Sequence, residues 1–282
     1  MKVLFISSGN LKLERNPIVI NQADSLEKFQ DIMVEHFFIK GKGAIGYIKN
    51  IHKLRRYIKI FKPDIIHAHY SFSGIIASLS TRKPVITSLM GSDINKSGLS
   101  RNFIRLFYKV FWTKTIVKSE VMKKKIGLKN VYVIPNGVDF FRFLPIEKSI
   151  AQNKVNFKNK ENNILFIGDP LRYEKNVELA RKTTDILSEE IPSNLIIIYN
   201  TNPDLIPFYL NASDVLLMTS RWEGSPNVIK EAMACNIPII STDVGDVKQN
   251  IKNCEGCYIV DDNPLSISEQ LKELLKRNRR TN

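Results

Sequence analysis

Residues 220–246 run SRWEGSPNVIKEAMACNIPIISTDVGD, directly after the apolar run Val215–Met218. A short run of Val and Leu that does not alternate with polar residues reads as a strand buried on both faces. Ser225 is a good helix N-cap and Pro226 suits the first helical position, so a helix is predicted over Pro226–Ala234, stopped before Pro238. The next apolar run, Ile237–Ser241, is a second strand. The start of such a helix turns main-chain N–H groups toward the preceding loop, which suits an anion. Glu223 stands just before the helix and Glu231 about two turns on. Two carboxylates so placed can address different parts of one ligand, sugar hydroxyls at one and ribose hydroxyls at the other.

Outward from this stretch the same alternation repeats in both directions. Further strands are predicted at Val3–Ser7, Ile32–Ile39, Ile65–Ala68, Val85–Leu89, Thr115–Val117, Val131–Ile134, Ile164–Ile167, Leu195–Tyr199 and Cys257–Val260. Stretches such as Tyr47–Phe61 and Val177–Glu190 suit helices between them. Repeated β–α units imply parallel sheets with helices on both sides, an α/β fold. Pro135-Asn136-Gly137 is a turn signal, and Ser149–Asn163 is polar and rich in Lys and Asn. The expected organisation is a first Rossmann-like, doubly wound domain over 1–145, a linker over 146–162 and a second such domain over 163–282. Ligands of such sheets bind beyond the carboxyl ends of the strands, so the site is expected in the cleft where two domains face each other.

The chain has 282 residues and a formal net charge of +14. Residues 1–150 hold 26 Lys and Arg against 10 Asp and Glu, and residues 151–282 hold 16 against 18. The excess lies in the first half, which favours an anionic partner such as phosphate or a lipid headgroup. No nucleic-acid recognition motif accompanies that charge, and no nucleic-acid partner is expected. Leu99–Phe111 is a basic, aromatic amphipathic segment with two readings. The favoured one is a helix covering its own sheet; the other is an interfacial helix with Phe103, Phe107 and Phe111 toward lipid. Cys235, Cys254 and Cys257 make no disulfide framework, and no second Cys or His pair completes a zinc site around Cys254-x-x-Cys257. No apolar run is long enough for a signal peptide or a membrane span. A cytoplasmic place is expected, with any membrane contact peripheral at the inner face.

The run Glu223, Gly224, Pro226, Asn227, Glu231, Ala232, Ala234, Pro238 and Gly245 resembles, in register, the donor-site signature of retaining glycosyltransferases of family four, the group 1 glycosyltransferases of GT-B fold. Met1–Gly9, Pro63–Tyr70, Ile134–Asp139 and Phe166–Leu179 resemble further segments of that family, which extends the likeness over most of the chain. The resemblance implies a metal-independent, retaining hexosyltransferase that takes a nucleotide-diphosphate sugar as substrate and uses no cofactor. It implies a glycan or lipid-linked acceptor and a role in cell-surface polysaccharide or glycolipid synthesis. Arg172 and Lys175 match the family's diphosphate ligands, an arginine fork and a lysine point charge. Glu223 would hold the donor sugar and Glu231 the ribose. Gly9, Gly224, Ser225, Pro226 and Asn227 complete the expected donor-binding set. No D-x-D occurs in the chain, in keeping with an absent metal.

Three departures from the family pattern are visible. Met90 stands where many relatives have a histidine near the reacting carbon, which leaves Asp93 and His69 as polar candidates beside Glu223 for catalysis. Asp169 follows the strand glycine where the commonest form has its arginine. The stretch between Tyr199 and Pro207 is too short for a strand-containing segment that often helps to form the base pocket. Two rival functions remain at this level. One is a non-catalytic protein of the same fold that binds glycan or nucleotide sugar. The other is a dinucleotide-dependent oxidoreductase, suggested by the G-x-G-x-x-G of Gly41, Gly43 and Gly46 with Asp64 as the acidic partner.

Overall fold

The computed structural model describes residues 1–10, 16–91, 93, 98–157 and 161–277. The chain divides into two compact units, Met1–Asn136 and Gly137–Asn282. In unit 1 the strands are β1 (Lys2–Ser8), β2 (Met33–Ile39), β3 (Ile65–His69), β4 (Val85–Ser88), β5 (Lys114–Val117) and β6 (Tyr132–Val133). They form one parallel sheet of order β2-β1-β3-β4-β5-β6. Its helices are α1 (Pro17–Glu27), α2 (Gly43–Ile48), α3 (Ile51–Phe61), α4 (Ser71–Ser80), α5 (Gly98–Val110) and α6 (Glu120–Ile126). Unit 2 carries β7 (Asn162–Ile167), β8 (Ser193–Ile198), β9 (Val215–Met218), β10 (Ile239–Thr242) and β11 (Cys257–Val260) in the parallel order β11-β10-β9-β7-β8. Its helices are α7 (Lys148–Val155), α8 (Val177–Ser188), α9 (Ile206–Ala212), α10 (Asn227–Ala234), α11 (Val247–Ile251) and α12 (Pro264–Arg277).

The apolar runs are continuous because both sheet faces are covered. In unit 2 Leu165, Leu216 and Ile239 pack with Ile229, Ala232, Val247 and Ile251 on one face. Their sequence neighbours Ile164, Val215 and Ile240 pack with Ala180, Leu187, Ile267 and Leu271 on the other. In unit 1 Leu4, Ile6, Ile66 and Ala68 join Leu54, Ile76, Ile104, Phe107 and Trp112. Val3 and Phe5 point the opposite way, toward Val19 and Ala23 of α1. Strand residues of opposite parity thus meet different helices.

Three expectations change. Tyr47–Phe61 is two helices, because the Asn50 amide turns back to the carbonyls of Lys40 and Gly46, at 2.8 and 2.7 Å, and breaks the run. The first unit ends at Asn136, ahead of the expected residue 145. The stretch 146–162, expected as a linker, contains α7, which buries Ala151 and pairs Lys148 with Asp214. Ile146 N–H donates to the Asn211 side-chain oxygen at 2.8 Å and the Asn211 amide donates to the Leu144 carbonyl at 3.0 Å. A short, mostly exposed helix needs few apolar residues, so its polar composition reads as a linker. Residues 158–160 of that stretch and Ser92 lie outside the described residues.

Candidate active site

In unit 2 the chain leaves β7 for β8 on one side, and β9 joins β7 on the other. The carboxyl ends of β7 and β9 therefore flank a point where the winding reverses, the usual ligand place in an open parallel sheet. The loops after these strands are stitched together. Thr219 Oγ1 lies 3.2 Å from the Lys175 carbonyl and 2.9 Å from the Asn176 carbonyl. Arg221 N–H donates to the Glu174 carbonyl at 2.8 Å, and its guanidinium donates to Asn176 Oδ1 at 2.9 Å. The same guanidinium lies 4.6 Å over the Tyr173 ring, which in turn packs 5.9 Å from Trp222. A Cβ on Gly168 would approach Lys175 Cδ to 3.1 Å, so the glycine gives the lysine stem its path across the turn.

Lys175 and Glu223 meet there. Lys175 Nζ lies 2.6 Å from Glu223 Oε1, with the side chains 15 % and 19 % exposed. Ser220 Oγ donates to the same carboxylate oxygen at 3.2 Å. Arg172 is held differently: its Nε donates to Glu174 Oε1 at 2.9 Å and its guanidinium pairs with that carboxylate. Burial alone would raise the Glu174 carboxyl. A main-chain hydrogen bond, the Arg172 hydrogen bond and the charges of Arg172 and Lys175 outweigh it and hold the group below its usual range. The Arg172 fork is therefore already occupied by Glu174 within its own turn.

The next loop positions α10. Ser225 Oγ donates to Asp246 Oδ2 at 2.6 Å and accepts from Lys230 Nζ at 3.0 Å. The expected N-cap role of Ser225 is thus replaced. Pro226, extended at φ −70° and ψ 121°, occupies the cap, and the helix begins at Asn227 with no side-chain cap. Gly224 is buried beside Gly245, whose φ is +60° and whose added Cβ would lie 2.8 Å from the Gly224 carbonyl oxygen. Gly245 thus permits this close approach of two loops. On α10, burial pushes the Glu231 carboxyl up to about 7, against the charges of Arg142 and Lys230. Among the described residues no hydrogen bond reaches its carboxylate.

Gly9, His69 and Asp93 belong to unit 1. Gly9 ends β1 with its N–H on the Ile39 carbonyl at 2.8 Å, and an added Cβ would strike Phe38 Cβ at 2.9 Å. His69 stacks on His67 with ring centres 4.3 Å apart, and both rings lie against Phe5. Burial and its neighbours push His69 well below the usual histidine range, and its Nε2 has no hydrogen-bond partner. It is a neutral, interior ring. Asp93 is 1 % exposed and joins α4 to the turn after β4. Its Oδ1 accepts from Ser71 N–H at 3.0 Å and Ser71 Oγ at 2.6 Å, and its Oδ2 accepts from Met90 N–H at 2.6 Å. Asp93→Ala is expected to lower the unfolding free energy by about 3 kcal/mol, the order for stripping a buried carboxylate from several donors. Denaturant melts check this; an unchanged melt with lost turnover would return Asp93 to the reaction.

The G-x-G-x-x-G has a structural explanation. Gly41 has φ +115°, and a Cβ on Gly46 would sit 2.5 Å from the Gly41 carbonyl carbon. The glycines close the turn after β2, an edge strand away from the point of reversal. Asp64 accepts from Lys2 N–H at 2.7 Å at the amino end of the sheet, the wrong end for a ribose. The nearby Tyr70 went unnoticed in the sequence: between β3 and α4 it holds φ 88°, a strained value for a residue with a side chain. Thr219, Ser220 and Asp246 were missed as well; only the step from a wholly apolar strand to hydroxyl residues at its carboxyl end marked the first two. No group of three or more His, Cys, Asp or Glu suited to a metal occurs among the described residues. Burial first, then Cys254, pushes the Cys257 thiol up to about 12, in keeping with a structural C-x-x-C.

Residues 148–282 match the family model of glycosyl transferases group 1, and residues 17–119 match that of glycosyl transferase 4-like proteins. The chain belongs to the group 1 glycosyl transferases. This glycosyl transferase chain is 25% identical to the UDP-Gal:alpha-D-GlcNAc-diphosphoundecaprenol alpha-1,3-galactosyltransferase of Escherichia coli, over 84% of its own length and 73% of that protein. It superposes on a sucrose-phosphate synthase of Thermosynechococcus elongatus with a TM-score of 0.82 and 14% identity, over 98% of this chain and 90% of that one. HepE of Anabaena, solved in complex with UDP and glucose, gives 0.75 at 15% identity, over 99% and 91%. Such structural likenesses establish the fold, two parallel-sheet α/β domains of GT-B type.

Proposed function

We propose that this group 1 glycosyl transferase moves a hexose, with retention and without a metal, from a nucleoside-diphosphate sugar to a hydroxyl of a glycan or lipid-linked acceptor. The observation that carries the reading is the Lys175–Glu223 pair at the reversal point. Donor binding would part it, sending the lysine to the diphosphate and the carboxylate to the sugar hydroxyls. As the C1–O bond to phosphate breaks, charge builds on the leaving diphosphate, where Lys175, the Arg172 fork and the uncapped start of α10 oppose it. The acceptor oxygen bonds to C1 from the leaving-group side, and its proton passes to a diphosphate oxygen. Glu231, without a hydrogen-bonding neighbour on its carboxylate, is suited to accept the two ribose hydroxyls. Two cations of the chain and a helix start supply charge that a D-x-D metal site supplies elsewhere.

The E. coli relative's UDP-Gal donor and diphosphoundecaprenol-linked acceptor, with the UDP bound by HepE, favour a uridine nucleotide and a lipid-linked acceptor at the inner membrane face. A thermal-shift panel of UDP, GDP and ADP and their sugars tests the donor. A ligand at about a hundred times its Kd adds about 2.7 kcal/mol, a shift of a few degrees. The product anomer by proton NMR and turnover in EDTA test the rest. Failure of every nucleoside diphosphate to stabilise the chain would refute the donor site; an inverted product or abolition by EDTA would refute the mechanism.

A further inference from the structure

At 3.6 residues per turn, Phe103, Leu106 and Val110 fall on one stripe of α5. They are 58%, 52% and 62% exposed, and Phe111, just past the end of the helix, is 46% exposed. The adjacent stripe, Ile104 and Phe107, is buried in the core of unit 1. Phe107 therefore faces the core, contrary to the interfacial reading of its sequence, while Leu106 and Val110 take its place outside. The apolar arc of this helix is wider than its own sheet can cover.

The charge beside the stripe is all but uniform. From residue 101 to residue 129 there are nine Lys and Arg and a single acid, Glu120. Lys109 borders the stripe on α5 and Arg105 lies further round the same side, both exposed. Arg105 also donates to the Ile126 carbonyl at 3.3 and 3.2 Å, which ties α5 to the end of α6, where Lys124 and Lys125 are exposed. Residues 1–136 hold 24 Lys and Arg against 8 Asp and Glu, so two copies meeting through this face would repel.

We infer that the exposed stripe of α5, with the basic end of α6 beside it, docks on an anionic lipid bilayer. A helix lying in the interface sinks its apolar side chains to the acyl boundary, while neighbouring lysines and arginines reach headgroup phosphates along their aliphatic stems. Both halves of that requirement are present on one surface, and no helix of the described residues is long and apolar enough to cross the membrane. The stripe belongs to unit 1 and the proposed donor residues Arg172, Lys175, Glu223 and Glu231 to unit 2, so sugar transfer to a soluble acceptor and lipid docking can fail separately.

Vesicle flotation of the full chain tests it, with circular dichroism confirming the fold of each variant. The chain is expected to float with phosphatidylcholine vesicles that contain phosphatidylglycerol and to remain behind with phosphatidylcholine alone. Raising salt to about 0.5 M, where the Debye length is only a few ångströms, should reduce flotation. The double variant L106D/V110D should lose about tenfold in bound fraction, as should K124E/K125E. Three results would overturn the docking surface: no flotation of the parent, equal flotation with neutral vesicles, or undiminished flotation of L106D/V110D, the mark of a merely electrostatic polyanion surface. A dimer dispersed by L106D/V110D would overturn it too, by assigning the stripe to a second copy.

Discussion

Lys175→Ala is expected to lower kcat/KM for sugar transfer by about 10²–10³, the range for removing one preorganised group that meets transition-state charge. The lysine touches Glu223 at 2.6 Å in a place where both side chains are largely shielded. On the proposed donor site the substitution removes the cation assigned to the diphosphate, and it leaves a shielded carboxylate beside Ser220. Arg172→Ala is expected to lose only about tenfold, because Arg172 is half exposed and its fork is already engaged by Glu174. Lys175→Arg is no conservative test. The stem of Lys175 lies 3.1 Å from the Cβ position of Gly168, and a planar guanidinium cannot retrace a point charge in that space. Steady-state kinetics of the two alanine variants decide it: equal losses at positions 172 and 175 would refute the central place given to Lys175.

The second large effect concerns Glu231, whose carboxyl is raised from 4.5 to about 7. A raised carboxyl favours the protonated folded form, so the empty protein loses stability as pH climbs from about 4.5 to 7, with no further change above. The whole shift corresponds to about 3 kcal/mol, and residual solvent contact brings that toward about 2 kcal/mol. Glu231→Gln is spared this loss. The variant should be more stable than the parent at pH 8 and equal to it at pH 4. Nucleotide binding runs the other way. Hydroxyl donors prefer the ionised acceptor, so the affinity of the parent for a nucleoside diphosphate should rise about tenfold from pH 6 to pH 8. The glutamine variant should show a flat, weaker profile. Calorimetric titration at several pH values, with melts on the same samples, tests both halves; a parent affinity independent of pH would remove Glu231 from the ribose.

The eleven strands of the described residues were legible, most of them because a strand buried on both faces leaves a continuous apolar run such as Val215–Met218. The Glu223–Glu231 spacing was legible because its segment follows such a strand directly, whereas Lys175 was singled out by the family resemblance. Other features depend on contacts between segments distant in sequence. Asn50 breaks a helix by bonding to Lys40, and Ser225 gives up its cap for Asp246, twenty-one positions on. The engagement of Arg172 by Glu174 turns on rotamers, and the helix within 146–162 on its packing against α9. Asp93 and His69 were read as candidates for catalysis because each is a polar group near a strand end. Burial, which single positions do not reveal, gives one a bracing place and the other an interior one.

The two tryptophans are divided between the units, Trp112 in the core of the first and Trp222 half exposed next to Glu223 in the second. Intrinsic fluorescence can therefore be resolved into two channels. A chain keeping only Trp112 emits from an apolar interior and reports cooperative melting of the basic unit. A chain keeping only Trp222 carries its chromophore beside Glu223, where quenching on addition of a nucleotide would report binding in real time without a label.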